Sequence, residues 1–290
     1  MKNISLLLLL LVSFSCKYSD NNRLNNVLLT VDKDPSAALC ILDSIHEPEE
    51  LSRESYMDYI LARTQARYLL DMDISNDTLI FEAQQYFNGN SNVAKAATVN
   101  FYAGVVYRKR RILENAMDAF LRSERLARDS NNKYILARSN QMIGNLYYEG
   151  ENMDSVIARY NKALIYYSDI PDVDKYRLQT NKYLGVAYEE KGNMDSAYDC
   201  YNKGLLLAEN TGNVASQAEL LHDMGVYYYV NKDYGKALEY YRETFTFDLN
   251  TPDSLRLYLN MMEVFNETNQ IDSARFYADL IKDRLYLIKD

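Results

Sequence analysis

Residues 139–164, SNQMIGNLYYEGENMDSVIARYNKAL, and residues 180–205, TNKYLGVAYEEKGNMDSAYDCYNKGL, are one pattern written twice, and that pattern decides the fold class. In each, a tyrosine follows a glycine by three places, a small or β-branched residue follows it by twelve, and an aromatic follows by sixteen. The residues are Gly144, Tyr147, Val156 and Tyr160 in the first stretch and Gly185, Tyr188, Ala197 and Tyr201 in the second. Working outward, the same offsets recur at Gly104, Tyr107, Ala116 and Phe120 and at Gly225, Tyr228, Ala237 and Tyr241, so the four glycines stand 40, 41 and 40 residues apart. A fifth, decayed copy holds Met262, Phe265, Ala274 and Ala278 at these offsets. Such periods belong to stacked supersecondary units, each contacting only its neighbours. The spacing has a packing reason: a residue without a side chain in one helix lets its partner approach, a small residue in the partner does the same in return, and the aromatics fill the gaps alongside.

These offsets match G-x-x-Y…A-x-x-x-F, and the chain over about residues 97 to 283 therefore resembles the tetratricopeptide repeat (TPR) family, with Ile143 and Leu184 supplying the apolar residue ahead of the glycine. The resemblance implies an all-α, right-handed superhelical solenoid of antiparallel helix pairs, A and B. The family repeat is 34 residues long, about six shorter than here, while the glycine-to-small-residue distance stays at twelve, so the extra residues are expected between helix B and the next helix A, with helices lengthened by about a turn. Turn-forming clusters fall there: 129–132, 169–172, 210–213 and 250–253. Upstream, residues 54–70 and 78–88 read as another pair, and Asp34 to Ile45 as a capped helix partnered by a short one around Arg23 to Val31. About seven helix pairs over residues 23–290 form one repeat domain.

Residues 1–15 read as a lipoprotein signal peptide. Lys2 precedes an apolar run from Leu6 to Val12, and Ser13 and Ser15 flank Phe14 just before Cys16. From Ile4 to Phe14 the stretch is far shorter than the roughly 20 residues a membrane-crossing helix needs. The order resembles the lipobox of bacterial lipoproteins, in which the cysteine becomes the acylated first residue. Residues 16–22 are then a lipidated cysteine and polar tether, and the whole resembles repeat lipoproteins of the Bacteroidetes envelope. The expected address is the cell envelope, lipid-anchored to the inner or outer membrane on its periplasmic or surface face.

The chain has 290 residues and carries 41 acidic against 32 basic residues, a formal charge of −9, which repels phosphate backbones and argues against nucleic acid as a partner. His46 and His222 lie far apart, as do Cys40 and Cys200, so no metal, cofactor or nucleophile chemistry is expected, and no enzyme. Asp154-Ser155, Asp195-Ser196 and Asp272-Ser273 recur where helix B starts, where a short oxygen-bearing side chain accepts from free backbone N–H groups, so they are expected as caps. Asp before Ser or Thr and an apolar residue also resembles the O-glycosylation motif of exported Bacteroidetes proteins, which nominates Thr78, Ser155, Ser196 and Ser273.

The TPR resemblance assigns the groove-facing positions of helix A. They are Arg108 and Lys109; Arg138, Gln141, Asn145 and Tyr148; Gln179, Lys182, Val186 and Glu189; and His222, Val226 and Tyr229. The clamp by which some relatives hold chaperone tails is not reproduced, since Phe101 stands where its first lysine belongs. The function expected is a membrane-anchored protein–protein interaction scaffold that binds a peptide or helix of a partner in the groove. Glycan capture at the surface, or the sensor part of an envelope regulatory system, are the alternatives. The last helix, Asp272 to Ile288, carries Phe276, Leu280 and Tyr286 off its packing stripe, a surface for self-association. Cys16→Ser is expected to leave a folded chain that is released from membranes and takes up no labelled palmitate; equal labelling and fractionation of the two proteins would overturn the anchor.

Overall fold

The computed structural model describes residues 22–248 and 251–287; residues 1–21, on which the expected signal peptide and Cys16 fall, 249–250 and 288–290 lie outside them. The described residues are helical with no strand: α1 (22–30), α2 (Pro35–Asp43), α3 (Arg53–Leu69), α4 (Ile80–Asn88), α5 (Val93–Lys109), α6 (Leu113–Asp129), α7 (Lys133–Glu149), α8 (Met153–Tyr167), α9 (Asp174–Glu190), α10 (Met194–Asn210), α11 (Val214–Val230), α12 (Tyr234–Thr244), α13 (Thr251–Glu267) and α14 (Ile271–Leu287). Among the described residues the fourteen helices follow the chain order of the expected A/B pairs, and α3/α4, α5/α6, α9/α10, α11/α12 and α13/α14 pack as pairs. By packing they fall into two units, one up to Leu146 and one from Tyr147 onward, with α7 contributing to both.

The extra residues of the long repeat go mostly into helix and much less into loop, the helices A α5, α7, α9 and α11 each running 17 residues. Both α6 and α10 run 17 residues and are followed by only three linker residues. Where helix B is shorter, 15 residues in α8 and 11 in α12, the remainder becomes a longer connection, at 168–173 and from 245 on.

The three-residue linkers share one geometry. Their middle residue is left-handed in every case: Arg111, Asn131, Glu151, Gly192, Gly212, Lys232 and Asn269 have φ between 53° and 72°. The third linker residue donates its N–H back to the carbonyl five residues earlier, as Asn193 does to Tyr188 at 2.8 Å and Asn213 to Ala208 at 2.8 Å, which is how a helix C-terminus closes on a left-handed residue. Where that residue is asparagine or aspartate its side chain also caps the next helix; Ile112 has no side-chain oxygen and makes no such cap. Asn152, Asn193, Asn213 and Asp233 accept from the N–H three places on. This corrects the expected caps: Asp154 and Asp195 sit at the second helical position, and Ser155 and Ser196 supply the N–H that the preceding asparagine receives. The acid one place earlier still favours the positive end of the helix dipole.

Packing within each pair turns on the glycine. A Cβ built on Gly104 would lie 2.6 Å from Cε1 of Phe120, and at Gly185 and Gly225 the rings of Tyr201 and Tyr241 come closer still. The aromatic sixteen residues on therefore fills the space left by the missing side chain of helix A and is wholly buried. The small residue twelve on is buried too, from Ala116 through Val156, Ala197 and Ala237 to Ala274. A further small position not read from the sequence lies nineteen after the glycine, at Ser123, Ala163, Gly204 and Thr244; a Cβ on Gly204 would meet Leu220 of the next helix A at 3.2 Å. The tyrosine three after the glycine reaches back to the preceding helix B. Tyr107 stacks on Phe81 at 4.1 Å, Asn161 donates to the Tyr188 hydroxyl, and Tyr228 donates to Tyr198.

Gly185→Ala is expected to destabilise by roughly 1–3 kcal/mol, the cost of overpacking. In a Tyr201→Leu background the same change should cost almost nothing, giving a coupling above about 1 kcal/mol in urea unfolding. Gly212→Ala, with φ +64° and no atom near its missing Cβ, should lose only backbone energy and show no coupling to Tyr201.

Candidate functional site

The groove positions assigned from the sequence divide between the two units and meet different fates. In the first unit they are largely filled. Arg138 of α7 is 1% exposed and Gln141 likewise 1%. The Arg138 guanidinium donates to the Gln141 side-chain carbonyl and to the Tyr68 hydroxyl, and lies over the rings of Tyr68 and Phe101 at 5.8 and 5.5 Å. Tyr68, Phe101 and Tyr102 pack edge to face around it. The expectation that Arg138 and Gln141 face a ligand is thereby corrected: a charge desolvated this fully persists because aromatic faces and hydrogen bonds replace water. Asn145 is half-buried with its amide 3.9 Å from the Met142 sulfur. Arg108 and Lys109 occupy the last turn of α5, where cations suit the helix dipole, Arg108 half-buried and Lys109 exposed.

In the second unit the row of helices A is open. Gln179 is exposed, and Tyr148, Lys182, Val186, Glu189, Val226 and Tyr229 are half-buried. Side chains join adjacent helices A directly. Lys182 of α9 pairs with Glu219 of α11 while lying over the Tyr183 ring, and Asn260 of α13 donates to Nε2 of His222 at 2.9 Å. His222 is only 5% exposed and turns Nδ1 toward Asp223 at 3.5 Å, so its place in the row is structural, a second correction. The Tyr201 hydroxyl donates to Glu189 at 2.6 Å, passing beneath Gly185 to reach the helix A side; burial first and then that carboxylate hold its pKa well above the usual tyrosine range. The Tyr148 ring lies 5.9 Å from Tyr183 and Tyr229 lies 5.9 Å from Tyr234; burial and neighbouring carboxylates raise both hydroxyls.

Several residues of this face went unread in the sequence: Glu190 of α9, Glu219 and Asp223 of α11, Glu263 and Glu267 of α13. The signal for two of them was present. Glu219 stands six before Gly225, as Arg138 and Gln179 stand six before their glycines, and Glu263 follows Met262 as Val186 follows Gly185.

Nothing in the described residues gathers three metal-ligating side chains, and no helix among them is long and apolar enough to cross a membrane. Cys40 and Cys200 are both free thiols; burial pushes Cys200 up to about 11, which suits a core residue rather than a nucleophile. Thr78 is exposed, whereas Ser155, Ser196 and Ser273 are half-buried in first helical turns.

Residues 176–250 match the model of the tetratricopeptide repeat family. A comparison with curated protein sequences finds no match. Among solved structures, the apo form of RapI is similar with a TM-score of 0.71 and 14% identity, over 91% of this chain and 76% of that one. The apo form of the quorum sensor NprR from B. thuringiensis gives 0.68 and 18% identity, over 91% and 75%. NprR in complex with its cognate peptide NprX gives 0.57 and 20%, over 92% and 78%. At these identities the likeness is one of fold, an all-helical TPR-like stack.

Proposed function

We propose that this chain is a protein-interaction scaffold that holds a segment of a partner protein along the helix A row of its second unit, and that a lipid on Cys16 tethers it to an envelope membrane. The observation that carries the reading is the division of labour within helices A of that unit. The glycine, the small partner and the buried ring account for the packing, while Tyr148, Gln179, Glu189 and Tyr229 remain at least partly open on the same helices. Aromatic side chains beside polar ones at the surface of a rigid frame are what adaptable peptide recognition uses. NprR, similar in fold, is a protein crystallised with a peptide, which lends the reading support. The anchor rests on the sequence alone, on the apolar run ahead of Cys16.

Panning a random peptide library on the purified chain tests the scaffold. Peptides recovered on the wild type should lose at least about tenfold in affinity on a Tyr148→Ala/Tyr229→Ala variant, since aromatic anchors each account for about 2 kcal/mol or more of binding when they are hot spots. Helical circular dichroism should be unchanged. The exposed pair Lys203→Ala/Glu209→Ala on α10 should bind as the wild type does. A library that yields no binder, or binders indifferent to the tyrosines, would refute the scaffold reading.

A further inference from the structure

In the second unit, protein side chains occupy the space beside the tyrosine three places after each glycine. Asn161 of α8 donates to the Tyr188 hydroxyl at 3.3 Å, and Tyr228 donates to Tyr198 while its ring stacks on Tyr240 at 5.3 Å. The first unit differs. Its tyrosine at this offset, Tyr107, stacks on Phe81, and a cavity of about 460 Å³ stays open between α4 and α6 beside the two rings. That volume lies within the roughly 300–1,000 Å³ of small-molecule sites. The Tyr107 hydroxyl has no hydrogen-bond partner among the described residues.

Carboxamides dominate the rest of the lining. Gln84, Gln85 and Asn88 stand on α4, Asn100 on α5 and Asn115 on α6. Asn100 is wholly buried and organises the first of these: its carbonyl accepts from Gln84 at 2.9 Å, and its NH2 group donates to Asn88 and to the Ala96 carbonyl, both at 2.7 Å. The exchange leaves the Gln84 carbonyl and the Asn88 NH2 group available to a ligand, with both side chains held from behind. Asp118 and Arg122, one turn apart on α6, are exposed, and neither forms an ion pair with a described residue. Apolar side chains would close such a gap at lower cost, since every amide taken from water has to be matched.

We infer that this cavity binds a neutral saccharide, one sugar ring seated beside Phe81 and Tyr107 with its hydroxyls on the surrounding amides. A carboxamide offers a donor and an acceptor side by side, which matches a pair of neighbouring hydroxyls. The amides come from three helices, so the ligand presents such groups around its whole rim. A sugar ring does so, whereas an extended peptide carries its polar groups along two opposite edges. The aromatic pair supplies apolar surface for the C–H face of the ring, with the Tyr107 hydroxyl as a polar tip. One carboxylate and one guanidinium offset each other, so the walls ask for no net charge. The site belongs to the first unit and does not depend on the helix A row of the second.

Ligand-observed saturation-transfer NMR and calorimetry on the full chain test this with maltose, cellobiose, lactose and N,N′-diacetylchitobiose. At least one should bind, with an affinity that does not change as salt is raised from about 50 to about 300 mM. Asn115→Ala/Arg122→Ala, which removes two exposed side chains of α6, should weaken that sugar by about tenfold or more with unchanged melting. Tyr107→Phe keeps the ring stack and should lower affinity several-fold, with melting unchanged or raised. Tyr148→Ala/Tyr229→Ala and Lys203→Ala/Glu209→Ala, both in the second unit, should bind the sugar as the wild type does. If none of the four sugars binds at millimolar concentration, or if the bound one is indifferent to Asn115, Arg122 and Tyr107, the site is overturned. The scaffold reading is untouched by either result, because its peptides depend on Tyr148 and Tyr229. Library peptides that lose affinity on Asn115→Ala/Arg122→Ala would give the cavity to a peptide and overturn the saccharide equally.

Discussion

The contact on which the repeat depends is an aromatic ring lying against a helix that has no side chain beneath it. At Gly104, Gly185 and Gly225 there is no room for even a methyl group, because the ring sixteen residues later fills the space. That single requirement sets the approach of helix B to helix A. It also fixes their relative rotation, since the ring reaches its glycine only when the small residue four positions before it faces the same way. The tyrosine three after the glycine then binds each pair to the one before, through Phe81, Asn161 or Tyr198. One glycine per repeat thus organises contacts both within a pair and between pairs.

A second constraint acts at the helix ends. Three-residue linkers leave little slack, and in most of them one residue both closes one helix and opens the next. A left-handed middle residue followed by asparagine or aspartate does this: the backbone N–H of the third residue ends helix A or B, and its side-chain oxygen starts the following helix. Glu151 and Lys232 hold the left-handed position as Gly192 and Gly212 do, which shows that closure outweighs the conformational penalty a side chain brings there, about 1 kcal/mol or more.

The fold was legible in the sequence to the extent that it depends on these short-range rules. The glycine, tyrosine, small and aromatic offsets gave helix number and pairing, and turn residues marked the boundaries. The caps were misplaced by two or three residues, because Asp-Ser and the asparagine before it are both good cap formers and only the backbone geometry of the linker chooses between them. Groove assignment was less legible. Knowing that a position faces away from the partner helix does not say whether another helix covers it, and Arg138 is enclosed by Tyr68, seventy residues upstream, a contact no local pattern reports. Glu219 and Glu263, by contrast, stand at legible offsets, six before Gly225 and one after Met262, whereas Glu190, Asp223 and Glu267 fall beside the offsets that the resemblance assigns to the groove.

The position six before the glycine shows why such a fold separates architecture from recognition. It is filled by Arg138, buried among aromatics; by Gln179, open to solvent; and by Glu219, paired across to Lys182. The backbone is the same each time, since the packing of the pair is carried by the glycine, the small residue and the ring. Substitution at this position therefore changes charge and access without changing how helices approach. The same holds one turn past the glycine, where exchanging Glu189 for Tyr229 in the next repeat leaves the ring beneath in place and changes only what its hydroxyl meets. A repeat built this way can vary its exposed row at almost no cost to the packing of the pair, as the exchange of Gln179 for Glu219 between neighbouring repeats shows.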